Sequence, residues 1–131
     1  MDIWLKILDT NLNGTFLCSR EALKIMRPQG RGSIINISSP QGKKGKLLRG
    51  PYCAAKFGVE GLTQVLALEN AAYNIKVNCL DPGGIVATEA IRKIPGNRGM
   101  QMLSPEIVRA CAVYLASDES LGITGQSFCR H

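Results

Sequence analysis

Gly32-Ser33-Ile34-Ile35-Asn36-Ile37-Ser38-Ser39 is a short apolar run, opened by glycine and closed by two hydroxyl residues. Its length and its isoleucines predict a buried strand that delivers serines at its end. Downstream, Ile75-Lys76-Val77-Asn78-Cys79-Leu80 predicts a second strand, ending at Asp81-Pro82-Gly83-Gly84. Between the two, from Tyr52 to about Tyr73, apolar residues at Val59, Leu62, Val65, Leu66 and Leu68 predict a helix. Strand, helix and strand joined by a right-handed crossover leave both strands parallel, with their carboxyl ends on one edge of the sheet. Open α/β sheets bind ligands at that edge, and Ser39, Tyr52 and Pro82-Gly83 all fall there.

The start of the helix carries the clearest chemistry. In Pro51-Tyr52-Cys53-Ala54-Ala55-Lys56-Phe57 a tyrosine and a lysine stand four apart, so both project from one helical face. An ammonium a few ångströms from a phenolic oxygen favours the phenolate, which prepares a phenol to exchange a proton near neutral pH. Alone the pair is a common coincidence, and a solvated surface Tyr with a solvated Lys is the competing reading. Its position at the ligand-binding edge, beside the serines of the strand end, is what raises it above coincidence.

Flanking segments complete the map. Asp2 is a candidate N-cap for a long helix running to about Met26, with Ile3, Ile7, Leu12, Phe16 and Leu23 among its apolar positions, and Arg27-Pro28-Gln29-Gly30 ends it. The stretch from Gly83 to Leu103, rich in glycine and polar residues and carrying Pro95, predicts an irregular loop. Ser104-Pro105-Glu106 predicts a helix to about Ala116, with Ser104 as cap and Pro105 in the first turn.

With these residues in place, the chain resembles the second, catalytic half of a classical short-chain dehydrogenase/reductase over nearly its whole length. Asn11, in Asp9-Thr10-Asn11-Leu12-Asn13-Gly14, matches the family's asparagine of the helix before the serine strand. Ser39, thirteen positions before Tyr52, matches its serine, and Tyr52 and Lys56 match its signature pair. Asn78 to Gly83 resembles its Asn-x-x-x-Pro-Gly strand end, and Ser117-Asp118 with Thr124-Gly125-Gln126 its closing segment. The resemblance implies a nicotinamide cofactor, NAD or NADP, and interconversion of a ketone and a secondary alcohol. Tyr52 then exchanges a proton with the substrate oxygen, and Lys56 assists it and hydrogen-bonds the nicotinamide ribose. Ser39 polarises the substrate oxygen, and Asn11 holds a water linking Lys56 to solvent. Tyr52, Lys56, Pro82, Gly83, Ile85 and Thr88 are implied cofactor contacts, and the stretch from Gly83 to Leu103 is implied to be the mobile segment that covers the substrate. Thr88 stands six residues after Pro82 where the family often has five, so Gly84 reads as an extra residue absorbed in a tight turn with positive φ. Apart from the resemblance, Ser39 also reads as a strand-end turn residue and Asn11 as an amide satisfying a helix kink near Gly14.

The family's strand and glycine-rich turn, which cradle the pyrophosphate at a helix N-terminus, have no counterpart here. Gly30-Arg31-Gly32 leads into a strand with no third glycine in place, and Gly42-Lys43-Lys44-Gly45 is not followed by Lys-Ser or Lys-Thr. The fold class expected is therefore α/β: a partial Rossmann-like, doubly wound parallel sheet lacking the N-terminal glycine-rich βαβ half, with residues 1–131 forming a single partial domain. The expected function is that of the family, inactive in the isolated chain. A non-catalytic truncated paralogue acting as an interaction or oligomerisation partner is the alternative. One long edge of the serine strand is expected to lie unpaired, and such an edge invites association. Self-association through the long helices, giving a homo-oligomer, follows from the resemblance.

Composition fits a globular domain. Of 131 residues, 45% are hydrophobic and 20% charged. No apolar run is long enough to span a bilayer and no leader-like segment opens the chain, so a cytoplasmic protein without a membrane partner is expected. The five cysteines lack Cys-x-x-Cys spacing and His131 is the only histidine, so neither a disulfide framework nor a metal site is expected. The net charge of +6 is concentrated in part at Lys43, Lys44, Lys46 and Arg49, between serine strand and tyrosine helix. No aromatic residues interleave with them, which argues against a nucleic-acid partner. A solvated loop is the expected reading, with an acidic substrate or the cofactor as the competing use of that charge.

Overall fold

Gly32–Ile37 forms β1 and Ile75–Asp81 forms β2, paired in parallel with Gly32 opposite Ile75 and Ile37 opposite Leu80. In the computed structural model, which describes residues 1–97 and 99–129, a third parallel strand, β3 (Ser127–Cys129), adds beyond β2, so the order is β1-β2-β3. Alternation along the strands assigns the two faces. Ile34, Ile75 and Val77 pack with Leu23, Leu66 and Ala67 on one face. On the other, the Ser33 hydroxyl donates to the Leu115 carbonyl at 2.8 Å. There too the Lys76 ammonium donates to the Ser117 carbonyl at 2.7 Å and the Ser120 hydroxyl at 2.6 Å. Helices thus cover both faces of a parallel sheet, the doubly wound arrangement expected.

The first helical segment is continuous but not uniform. Asp2–Leu8 (α1) runs through a π-helical turn, Asp9–Asn13, into Gly14–Gln29 (α2). A π turn displaces carbonyls from their usual donors, and side chains supply replacements. Asn11 Nδ2 donates to the Ile7 carbonyl at 3.0 Å, Thr10 Oγ1 to Lys6 at 2.9 Å, and Thr15 Oγ1 to Asn11 at 2.8 Å. Two details differ from expectation. Met1, not Asp2, occupies the N-cap position, and Asp2 lies in the first turn, where its charge favours the helix dipole. The helix also outlasts Met26, carrying Pro28 in its last turn, and stops where Gly30 turns left-handed at φ 70°.

The tyrosine helix, α3, spans Gly50–Asn70. Its buried stripe is Lys56, Val59, Thr63, Leu66, Ala67 and Asn70, at three- and four-residue spacing. Val65 and Leu68, expected on that stripe, are 50% and 82% exposed. Polar residues replace them because the sheet offers polar partners: Thr63 accepts from Asn36 Nδ2 at 2.9 Å and from the Cys79 thiol at 3.1 Å. Burial pushes that thiol up to about 11, which makes Cys79 a packing residue without thiolate reactivity.

After β2 the chain forms a short helix, α4 (Glu89–Arg92), and then α5 (Pro105–Ala116), whose cap Ser104 accepts from the Glu106 N–H at 3.3 Å as expected. The segment between Gly83 and Leu103 is pinned at its root: Leu103 N–H donates to Ile85 at 2.7 Å and Ala87 N–H to Leu103 at 2.9 Å. Asn78 ties the end of the chain to the sheet. Fully buried, it donates to the Ile123 carbonyl at 2.9 Å and accepts from the Gln126 N–H at 3.0 Å. Asn78→Ala strands two backbone groups at once. It is expected to destabilise the chain by about 2 to 4 kcal/mol and to raise hydrogen exchange first at Gln126 to Phe128, both measurable by denaturant titration and amide exchange.

Candidate active site

The carboxyl edge of the sheet gathers three chain segments. β1 ends at Ile37 and continues through Ser38 and Ser39, both buried, into a 3₁₀ turn, Pro40–Gly42, capped by Ser39. The Ser39 hydroxyl donates to Gln41 Oε1 at 2.8 Å and accepts from the Gln41 N–H at 3.3 Å. β2 ends at Asp81, whose Oδ1 accepts from the Gly83 N–H at 2.8 Å. Gly83, not Gly84, adopts the positive φ, at 78°, while Gly84 packs on Leu103. The first turns of α3 supply Tyr52 and Lys56.

Lys56 is the centre of this geometry. Buried, its ammonium donates to the Ile37 carbonyl at 2.8 Å, two residues before Ser39, and lies 5.6 Å from the centroid of the Tyr52 ring. Burial lowers its pKa below the usual lysine value. One side chain therefore links the tyrosine to the serine strand. The π turn that carries Asn11 packs on the same helix. Gly58 makes that approach possible, since a Cβ there would come within 2.8 Å of Leu12 Cδ2.

Tyr52, half-buried, faces a cleft of about 350 Å³ together with Gln41, Lys46, Arg49 and Ile85. Ser39 reaches this cleft through Gln41, its hydrogen-bond partner and a lining residue. Thr88 is engaged elsewhere, its hydroxyl accepting from the Ile91 N–H at 3.3 Å as the cap of α4. Ser39, Tyr52, Lys56 and Ile85 thus share one neighbourhood, Pro82-Gly83 stands at the adjoining strand end, and Thr88 lies on the segment beyond it.

An ionic cluster beside the site was not foreseen. Lys43 turns inward to Asp81 Oδ2 at 3.2 Å and Glu60 Oε1 at 3.7 Å. Glu60 also accepts from the hydroxyls of Ser38 and Ser127, the latter at 3.0 Å. Desolvation acts to lower the Lys43 pKa, but the Asp81 hydrogen bond and the Glu60 charge outweigh it and the net shift is upward. The loop read as solvated is therefore divided: Lys43 is structural, Lys44 exposed, and Lys46 and Arg49 face the cleft.

Comparison with known proteins agrees with this layout. A family described as short chain dehydrogenase matches residues 1–98. A 3-alpha-(or 20-beta)-hydroxysteroid dehydrogenase of Mycobacterium tuberculosis is 44% identical over 129 residues, covering 95% of this chain and 49% of that protein. Among solved structures, 4-hydroxyisoleucine dehydrogenase complexed with NADH superposes with a TM-score of 0.84 at 35% identity, covering 97% of this chain and 57% of that one. A gluconate 5-dehydrogenase from Burkholderia cenocepacia in complex with NADP and tartrate gives 0.86 at 28% identity, with 97% and 54% covered. The chain spans about half the length of the curated relatives it matches. Sequence, sheet topology and the matched residues agree that the chain belongs to the short-chain dehydrogenase/reductase family.

Proposed function

We propose that the chain is the catalytic portion of an NAD(P)-dependent oxidoreductase that interconverts a ketone and a secondary alcohol, with Tyr52 exchanging the proton. The observation that carries this reading is the buried Lys56 ammonium, held between the Tyr52 ring and the Ile37 carbonyl at the strand end that bears Ser39. The relatives solved with NADH and NADP support the cofactor class.

The residues present fit one end of such a cofactor. Lys56 commits one N–H to Ile37 and keeps donors for a ribose hydroxyl, and Pro82-Gly83 would line the nicotinamide side. No described strand is followed by the Gly-x-Gly-x-x-Gly spacing: β1 enters the Pro40–Gly42 turn and β2 runs into Pro82-Gly83-Gly84. A reduced nicotinamide, when bound, supplies hydride to the carbonyl carbon. Tyr52 gives its phenolic proton to the carbonyl oxygen in that direction and takes it back in alcohol oxidation. Ser39 exchanges its hydrogen bond to Gln41 for one to the substrate oxygen, stabilising the charge that develops there. Asn11, whose Nδ2 serves the Ile7 carbonyl, would hold the water that connects Lys56 with solvent. Ile85, on the cleft wall, would contact the cofactor, and Thr88 would do so only by giving up its cap.

The test is reconstitution. These residues alone are expected to bind NADH and NADPH negligibly in a fluorescence titration, and micromolar binding would contradict that. Joined behind a glycine-turn βαβ segment of a family member, they are expected to consume NADH or NADPH in step with alcohol formed from a short ketone. A folded, cofactor-binding chimera without ketone turnover would overturn the proposal.

Self-association belongs to the same reading. β1 is paired on one side only among the described residues. Trp4, Leu5, Phe16 and Leu17 on the long first helix, with Leu68 on α3, are 42% to 82% exposed. A non-catalytic partner role rests on the same surfaces. Sedimentation velocity is expected to show dimers or larger species; a monodisperse monomer that melts cooperatively would exclude association.

A further inference from the structure

We infer that the cleft at Tyr52 receives a carbonyl compound bearing an anionic group, bound by Lys46 and Arg49. The inference rests on the reading of Tyr52 as the residue that meets the carbonyl, and adds to it the substrate class.

Charge decides the matter. The described lining holds two cations and no carboxylate. The nearby acids are committed elsewhere: Asp81 and Glu60 to Lys43, and Glu89 to Lys93 at 2.6 Å. Lys46 and Arg49 form no ion pair among the described residues. A concave surface carrying one sign of charge against apolar walls focuses its field on whatever enters, and an arginine fork matches a carboxylate with two parallel hydrogen bonds. Neighbouring Lys43 shows the contrast, since it is neutralised by two carboxylates although it lies only three residues from Lys46.

Shape supplies the rest. Ile85, Ile91 and Ile94 form an apolar wall, and Gln41 and Asn97 add amide groups. About 350 Å³ lies at the small end of ligand pockets. The occupant that satisfies all three features is small: a carbonyl at Tyr52, a short aliphatic span along the isoleucines, and an anion at the Lys46–Arg49 mouth.

The test uses the whole chain, isotopically labelled for amide NMR and titrated with 4-oxopentanoate, its methyl ester and pentanoate. The oxo acid is expected to shift the amides around Lys46, Arg49, Tyr52 and Ile85, with the neutral ester binding about tenfold more weakly. Pentanoate is expected to move the Lys46 and Arg49 amides alone. Lys46→Gln combined with Arg49→Gln, both exposed positions, is expected to erase the difference between acid and ester. Equal binding of acid and ester, or no shift with any probe, would overturn the inference. So would stronger shifts of Lys46 and Arg49 with adenosine 2′-phosphate, which would assign these cations to the cofactor. Charge preference and turnover are separate readouts: acid preference without turnover in the chimera sinks the Tyr52 reading alone, and turnover without acid preference sinks this inference alone.

Discussion

Tyr52→Phe is expected to lower ketone turnover in the reconstituted enzyme about 10²- to 10⁴-fold, the usual worth of a positioned general acid, while leaving nicotinamide affinity nearly unchanged. The geometry separates the two effects. Phenylalanine keeps the ring beside which the Lys56 ammonium sits at 5.6 Å, and the Lys56 bond to Ile37 does not involve the phenol. Only the proton at the cleft wall is removed. Steady-state kinetics with a short ketone, alongside fluorescence titration of NADH and NADPH, measures both quantities. Turnover within about threefold of the parent would be far less than the loss of a general acid allows, and would remove Tyr52 from the proton-transfer step. Loss of cofactor affinity equal to the loss of turnover would instead make it a binding residue.

The parts of this site legible in the sequence are those whose chemistry is set by spacing along one element. Tyr52 and Lys56 share a face because four residues make about one helical turn. The strand beginning at Gly32 could be read from its isoleucines, and its parallel partner from the helix that intervenes. The capped start of α5 was visible because Ser104-Pro105-Glu106 is a local signal, complete within three residues.

What escaped the sequence depends on contacts between distant residues, or on the exact phase of a helix. Stripe-reading favoured Val65 and Leu68 because they are apolar, whereas the sheet buries Thr63 and Asn70 because Asn36, Cys79, Arg27 and the Leu66 carbonyl offer them partners. The π turn had one signal, Asn11 read as an amide satisfying a helix kink near Gly14, and that amide does serve the Ile7 carbonyl within the turn. The rotation of everything after it left no trace in residue types. Lys43, Lys46 and Arg49 look alike in the sequence. Asp81 and Glu60, 38 and 17 positions from Lys43 in the chain, decide which of them is neutralised. The Asp81 contact could have been suspected from an acidic residue placed immediately before Pro82 at a ligand-binding edge. Gln41, the partner of Ser39, carried no such signal beyond its place in the turn.

Lys56→Met is expected to abolish most turnover, by about 10²-fold or more on the scale of general acid–base catalysis, yet to leave the melting temperature unchanged or higher. Two opposing terms decide the stability. The substitution removes the hydrogen bond to Ile37, but Ile37 ends an edge strand and is 49% exposed, so water can take over its carbonyl. It also removes a buried ammonium with no carboxylate paired to it among the described residues, and replacing buried charge by an apolar side chain of similar volume is often neutral or stabilising. Burial lowers the Lys56 pKa in the folded chain, which fixes the sign of the pH dependence. Below the folded value both states carry the proton, and the folded state bears the desolvation cost. Between the folded value and the ordinary lysine value the unfolded chain binds the extra proton, so Lys56 makes stability rise with pH in that window. Lys43, shifted upward, contributes stability below its ordinary value that is lost as pH rises through its folded value. The difference between parent and Lys56→Met isolates the Lys56 contribution, because Lys43 is present in both. Thermal melts from neutral to alkaline pH are expected to show the advantage of the variant shrinking as pH climbs. A fall of about 5 °C or more at neutral pH, roughly 1 kcal/mol for a chain of this size, would show that Lys56 is held for stability and not at its expense.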